Sequence, residues 1–203
     1  MSQEIIFNEE AKKKLQAGVN KLSEAVKTSL GPSGMTITIQ KGTGVPKITK
    51  DGVTIAKSIV LSDPVENMGA ALVKDVASKA ADQAGDGTTT ATVLAQAIVN
   101  EGLKNLAAGA NPIEIKKGIN AAVKYVTEFL KANSIEVSDD FEKVKNIATI
   151  SANNDEELGI IIADALSKVK KDGILTVEES KSMETYTQVQ SGMELDKGFI
   201  SPY

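Results

Sequence analysis

The sequence predicts a mainly α-helical protein with small β elements. Three observations carry that expectation. Stretches near 9–29, 64–84, 88–108 and 112–131 repeat apolar residues at helical spacing. Two short alternating stretches flank Gly42-Thr43-Gly44 and read as a β-hairpin. Aromatic content is 3% with no tryptophan, so the core has to be built from Ala, Val, Ile and Leu. At 203 residues the chain is one large domain or two smaller ones.

The elements follow in order. Asn8 is a candidate N-cap, with Glu9 and Glu10 in the first turn where the helix dipole favours acids. Ala11, Leu15, Val19, Leu22 and Val26 continue an amphipathic helix over 9–29. Gly31-Pro32-Ser33-Gly34 stops it. Residues 36–40 and 47–49 alternate like strands, and Lys50-Asp51-Gly52 turns into a third short strand over 53–59. Pro64 suits the start of the next helix. Small residues such as Ala70, Ala77, Ala91 and Ala95 allow close helix–helix approach, as in a bundle. After the polar stretch 132–140 come helices near 139–150 and 155–171, then strands over 174–177 and 185–189, a small α/β unit.

Composition removes whole classes of chemistry. There is no cysteine and no histidine, hence no disulfide, thiolate nucleophile, Ser-His-Asp triad or zinc site built on N or S ligands. Any metal is a hard cation held by oxygen. A net charge of −4 with interspersed signs gives no footprint for nucleic acid. The start lacks a signal-peptide pattern and no 18-residue apolar span follows, so no membrane segment is expected and the location is cytoplasmic, or that of a mature organelle form.

The chemistry concentrates in Gly85-Asp86-Gly87-Thr88-Thr89-Thr90. Glycines let main-chain N–H groups turn toward an anion, and the threonines open a helix whose first-turn N–H groups are unpaired. Three threonines exceed what capping needs. A carboxylate between the glycines makes sense beside phosphate if a divalent cation sits between them. The run reads as a metal–phosphate cradle at a helix N-terminus. It is not a Walker loop, whose pattern occurs nowhere in the chain. Taken singly, Leu30-Gly31-Pro32 reads as a helix stop and Asp51-Gly52 as a common turn dipeptide. If the three turns converge, Asp86 supports Mg²⁺, Lys50 offsets phosphate charge, and Asp51 contacts the metal or orients water.

Residues 84–94, Ala-Gly-Asp-Gly-Thr-Thr-Thr-Ala-Thr-Val-Leu, resemble the nucleotide loop of the chaperonins. Leu30-Gly31-Pro32, Ile48-Thr49-Lys50-Asp51-Gly52-Val53, Glu66-Asn67-Met68-Gly69-Ala70, Thr149-Ile150-Ser151-Ala152-Asn153 and Gly198-Phe199-Ile200-Ser201-Pro202-Tyr203 agree in order and spacing. The last two motifs favour the group I, GroEL-like class. The resemblance implies the N-terminal half of an equatorial ATP-binding domain over 1–134, part of an α/β intermediate domain over 135–190 and the start of an apical domain over 191–203. It implies an ATPase with Mg²⁺ and K⁺, non-native polypeptide clients, a lid co-chaperonin and two stacked seven-membered rings.

By position, the resemblance assigns nucleotide contacts to Ser29, Leu30, Gly31, Pro32, Lys50, Gly52, Asp86, Gly87, Thr88, Thr89, Thr90 and Ser151. Asp51 matches a catalytic carboxylate, Asp86 the Mg²⁺ ligand, and Phe199 and Tyr203 the polypeptide-binding face. The hairpin over 36–49 resembles a stem that adds strands to a neighbouring subunit. Ser29 stands where threonine is usual. Lys197 replaces an arginine of an inter-domain ion pair, and a point charge cannot reproduce a bidentate fork. Family members are well over twice this length. The chain is therefore expected to be an N-terminal fragment that lacks a catalytic aspartate and does not hydrolyse ATP alone. The alternatives are a truncated chaperonin-like protein that binds or co-assembles without turnover and, more distantly, an unrelated Mg–phosphate enzyme.

Overall fold

Helix α1 (Asn8–Lys27) buries Gly18, Val19, Leu22, Ser23 and Val26 along one face. In the computed structural model, residues 5–40, 42–137, 140–169, 173–178, 180, 183–190, 192 and 198 are described. Strands β1 (Ile37–Ile39) and β2 (Lys47–Thr49) pair antiparallel with Ile37 opposite Thr49, which is the expected hairpin. Helices α2 (Gly52–Ser58), α3 (Pro64–Ala84), α4 (Thr88–Ala107), α5 (Pro112–Asn133), α6 (Phe141–Ser151) and α7 (Glu156–Val169) follow. Among the described residues no helix is long and apolar enough to cross a membrane.

The core of the first part joins Val19, Leu22 and Val26 of α1, Ile55 and Ala56 of α2, and Ala70, Val73 and Ala77 of α3. Ile37 and Ile39 of the hairpin and Val99 of α4 pack against it. Helices α1 and α3 cross at reciprocal glycines. A Cβ on Gly18 would stand 1.8 Å from the Glu66 carbonyl oxygen, and one on Gly69 would stand 2.1 Å from that of Leu15. Only hydrogen fits at either position. Ion pairs Lys14–Asp63 (2.9 Å) and Lys21–Glu66 (2.5 Å) flank the crossing. Asp63 caps α3, accepting from the N–H groups of Val65 and Glu66.

Three expectations are corrected. Residues 53–59 do not form a strand, because Gly52–Ser58 is helix α2. Asp51 caps its first turn, and Gly52, Ile55 and Ala56 are buried at positions one, four and five. That spacing is helical; a strand would have put Lys57 on the same face as Ile55. Asn8 is not the cap of α1. It has φ +59°, and Phe7 occupies the cap position without a side-chain bond. Neither 174–177 nor 185–189 is a strand, since β1 and β2 are the only paired strands among the described residues. Alternation supplies a strand's two faces but not its hydrogen-bonding partner.

The chain divides into two compact units, Met1–Ala132 and Asn133–Tyr203. In the second, α6 and α7 pack through Gly159 against Thr149, with Ala148, Ala163 and Ala165 buried. Helix α5 stands apart from the other helices in one respect: it buries no residue. Its expected core face is exposed, with Val123, Val126 and Leu130 at 54%, 50% and 61%.

Candidate functional site

The cradle is built where α3 ends and α4 begins. Gly85 terminates α3 in the left-handed region at φ +73°, and Gly87 precedes α4 at φ +76°. A side chain would be strained at both, while nothing lies within 4 Å of a Cβ built on either. The loop face is therefore open. Helix α4 has no side-chain cap, and its first main-chain bond runs from the Ala91 N–H to the Gly87 carbonyl. The N–H groups of Thr88, Thr89 and Thr90 precede that bond at the positive end of the helix dipole. Asp86 is exposed, and its carboxylate accepts the Gly87 N–H at 2.6 Å. Thr92, fully buried, bonds the Thr88 carbonyl at 2.9 Å and anchors the first turn from inside.

The second turn meets this one directly. A Cβ on Gly52 would lie 2.3 Å from Thr89 Oγ1, 2.8 Å from Thr88 Oγ1 and 3.2 Å from the Thr89 nitrogen. The start of α2 thus rests on the threonine hydroxyls because Gly52 has no side chain. The N–H groups of Val53 and Thr54 in its first turn are satisfied. Asp51 Oδ1 accepts from Val53 N (3.4 Å), while Oδ2 accepts from Thr54 N (2.9 Å) and Thr54 Oγ1 (2.5 Å). The Asp51 N–H bonds Thr49 Oγ1 at 3.1 Å, tying the cap to strand β2. Lys50, exposed, precedes it.

The first turn is directed to the same end. Gln16 of α1 donates to Asn100 of α4 (2.8 Å), Asn100 to Asn20 (2.9 Å), and Gln96 to Asn20 (3.1 Å) and to Glu24 (3.0 Å). Later residues of α1 meet earlier residues of α4, so the helices run antiparallel. Carried past Glu24–Gln96, that register sends the loop 28–34 toward the start of α4. The loop is held by its own bonds: Ser29 Oγ to Val26 O (2.8 Å), Leu30 N to Lys27 O (3.0 Å) and Met35 N to Thr28 O (2.9 Å). Gly31 and Pro32 at its tip are exposed. These amides escaped the sequence reading, although Gln16, Asn20 and Glu24, and Gln96 and Asn100, each recur at i, i+4.

Ser151 ends α6 in the second unit, exposed. Phe199, Tyr203 and Lys197 lie outside the described residues. Among the described residues no group of three or more acidic side chains could hold a metal. The donor set at the cradle is then one carboxylate, Asp86, with hydroxyls beside it. That suits Mg²⁺, which takes one or two carboxylates and completes its shell with phosphate oxygens and water.

The TCP-1/cpn60 chaperonin family model matches residues 22–203. The chain belongs to that family. Solved chaperonins share the fold of this chaperonin chain. It is similar to chaperonin gp146 from the bacteriophage EL of Pseudomonas aeruginosa, crystallised in the presence of ATP-BeFx, with 26% identity and a TM-score of 0.67 over 85% of this chain and 30% of that one. It is also similar to a group III chaperonin in the open state, with 30% identity and a TM-score of 0.67 over 80% of this chain and 32% of that one. The chain spans about a third of the length of these structures.

Proposed function

We infer that this chain carries the phosphate-holding site of an ATP-driven chaperonin of the group I, GroEL-like class, which assists folding of non-native polypeptides. One observation carries the reading: α2 is seated through Gly52 on the hydroxyls of Thr88 and Thr89, at a helix start that no side chain caps. A closed helix start has no use for an anion, whereas this one leaves first-turn N–H groups without a side-chain cap beside the exposed Asp86 and Thr90.

The residues divide the work. The N–H groups of Thr88, Thr89 and Thr90 and the three hydroxyls hold phosphate oxygens. Asp86 holds Mg²⁺, whose charge offsets that of the phosphates, and Lys50 adds a second positive charge. Ser29, Leu30, Gly31 and Pro32 form the wall on the nucleoside side, with K⁺ as a supporting cation. Asp51 is fixed by the α2 cap, and its weakly bonded Oδ1 keeps a lone pair to orient water. Phosphoryl transfer to water needs mainly position and charge, and this set supplies both.

Ring assembly with a lid co-chaperonin belongs to the same proposal. So does strand addition by the 36–49 hairpin, whose Val45 and Ile48 are exposed. Titrating the chain with Mg-ATP tests the reading. Binding is expected to require Mg²⁺ and to lose that requirement in Asp86→Ala. Equal affinity with and without Mg²⁺ in the wild type contradicts the metal role.

A further inference from the structure

The chain holds three Asp–Gly dipeptides, Asp51–Gly52, Asp86–Gly87 and Asp172–Gly173, and no Asn–Gly. An aspartate followed by glycine has a chemistry of its own. The next main-chain nitrogen can reach its carboxyl carbon and close a five-membered ring, and glycine obstructs that nitrogen least. In a folded chain the outcome depends on what holds the carboxylate and what covers the glycine. Asp172 lies outside the described residues, and the other two dipeptides differ in both respects.

At Asp51–Gly52 the carboxylate is tied forward, accepting from Val53 N, Thr54 N and Thr54 Oγ1. Gly52 is buried against the hydroxyls of Thr88 and Thr89. At Asp86–Gly87 both residues are exposed, and nothing lies within 4 Å of a Cβ built on Gly87. The Gly87 N–H stands outside the main-chain ladder of α4, whose first bond starts from Ala91. Its partner is Asp86 Oδ1 itself, at 2.6 Å. Cγ is one C–O bond beyond that oxygen, so it lies within about 3.8 Å of the nitrogen.

We propose that Asp86–Gly87 is a self-modification site, where aspartate converts to isoaspartate through a cyclic imide. Turning the side chain carries Cγ from the plane of the hydrogen bond onto the face of the nitrogen. The nitrogen's electron pair forms the bond to Cγ, and a Cγ–O bond breaks with its electrons staying on oxygen. That oxygen leaves as water, taking the amide proton and one proton from solvent. Water then reopens the ring. Addition at Cγ restores aspartate, whereas addition at the main-chain carbonyl carbon gives isoaspartate. The loop between Gly85 and Thr88 is then one bond longer, and its carboxylate is carried on Cα. Ring closure itself needs no nucleotide. Protection from it rests on the nucleotide reading above: a carboxylate engaged by Mg²⁺ is withheld from the nitrogen, so an occupied cradle is spared and an empty one ages.

The test is prolonged warm incubation of the folded chain at neutral pH, followed by trypsin. Lysines separate the three dipeptides, so each falls on a different peptide. Isoaspartate appears as a second chromatographic peak of equal mass, assigned to its residue by electron-transfer fragmentation. Residue 86 is expected to convert at least about fivefold faster than residue 51, which must first leave its cap. In urea the two should convert at similar rates, because both are followed by glycine. Equal rates in the folded chain, or a faster rate at 51, overturn the proposal. So does conversion at 86 that all but stops on folding. Mg-ADP at ten times its dissociation constant should slow residue 86 about tenfold. If residue 86 still outpaces residue 51 but Mg-ADP gives no protection, the Mg²⁺ role of Asp86 fails and the modification site stands.

Discussion

Two helix starts meet at Gly52, and they are finished in opposite ways. The start of α2 is closed: Asp51 accepts from two main-chain N–H groups, those of Val53 and Thr54, and from a hydroxyl. The start of α4 is open: Gly87 has no side chain to cap with, and the following threonines present hydroxyls instead. Both sequences look alike, Asp-Gly followed by β-branched residues. The carboxylate lies on the N-terminal side of glycine in each, but only Asp51 sits where its oxygens reach the first turn. Asp86 is one residue too early, bonds the Gly87 N–H and leaves the helix uncapped. A helix capped by glycine in place of aspartate gives up roughly a few tenths of a kcal/mol, a small cost where a ligand's oxygens take the same N–H groups.

The sharpest way to break the contrast is to push the two starts apart. Gly52→Val places a branched side chain where even a Cβ meets two hydroxyls and a main-chain nitrogen. Overpacking of this kind costs about 1–3 kcal/mol, so Mg-ADP affinity should fall up to about a hundredfold by calorimetry. Unchanged affinity would mean the two starts need not touch. Thr90→Val removes one exposed hydroxyl from the open start. Affinity should fall about tenfold, while the urea midpoint moves by less than about 0.5 kcal/mol equivalent. Asp51→Ala opens the closed start. It should cost about 1 kcal/mol in urea unfolding and reduce turnover in an assembled chaperonin while leaving nucleotide bound. Loss of binding with turnover of the bound fraction intact would reverse that assignment.

The smallest effect concerns the third cap, Asp63 on α3. The Lys14 ammonium, then the Glu66 N–H, hold its carboxyl below the ordinary value of 3.8. A group depressed on folding stabilises above its unfolded value and stops doing so as pH falls through the folded one. Melting temperature should therefore be flat from pH 7 to 5 and drop below about pH 4, with a shallower drop in Asp63→Asn. Equal acid profiles for the two proteins would remove Asp63 from the account.

The parts read most directly from sequence were those whose signals are local. Pro64 marks a helix start that the fold makes, with Asp63 as its cap. The cradle was legible for the same reason, since glycines at 85 and 87 announce left-handed backbone. Residues 53–59 misled because Val-Thr-Ile carries strand propensity, while the Asp51 cap and the neighbouring α1 and α3 faces decide for helix. Convergence of the turns was out of reach. It depends on Gly52 against Thr89 and on amides separated by 72 to 84 positions, and periodicity within one helix holds no information about its partner.

The contrast between the two starts is tested most directly by main-chain amide resonances during titration with millimolar Mg-ADP. The account expects the N–H signals of Thr88, Thr89 and Thr90 to shift progressively, while those of Val53 and Thr54, already bonded to Asp51, stay nearly still. Shifts at 53 and 54 with none at 88–90, or no shift at either start, would contradict it.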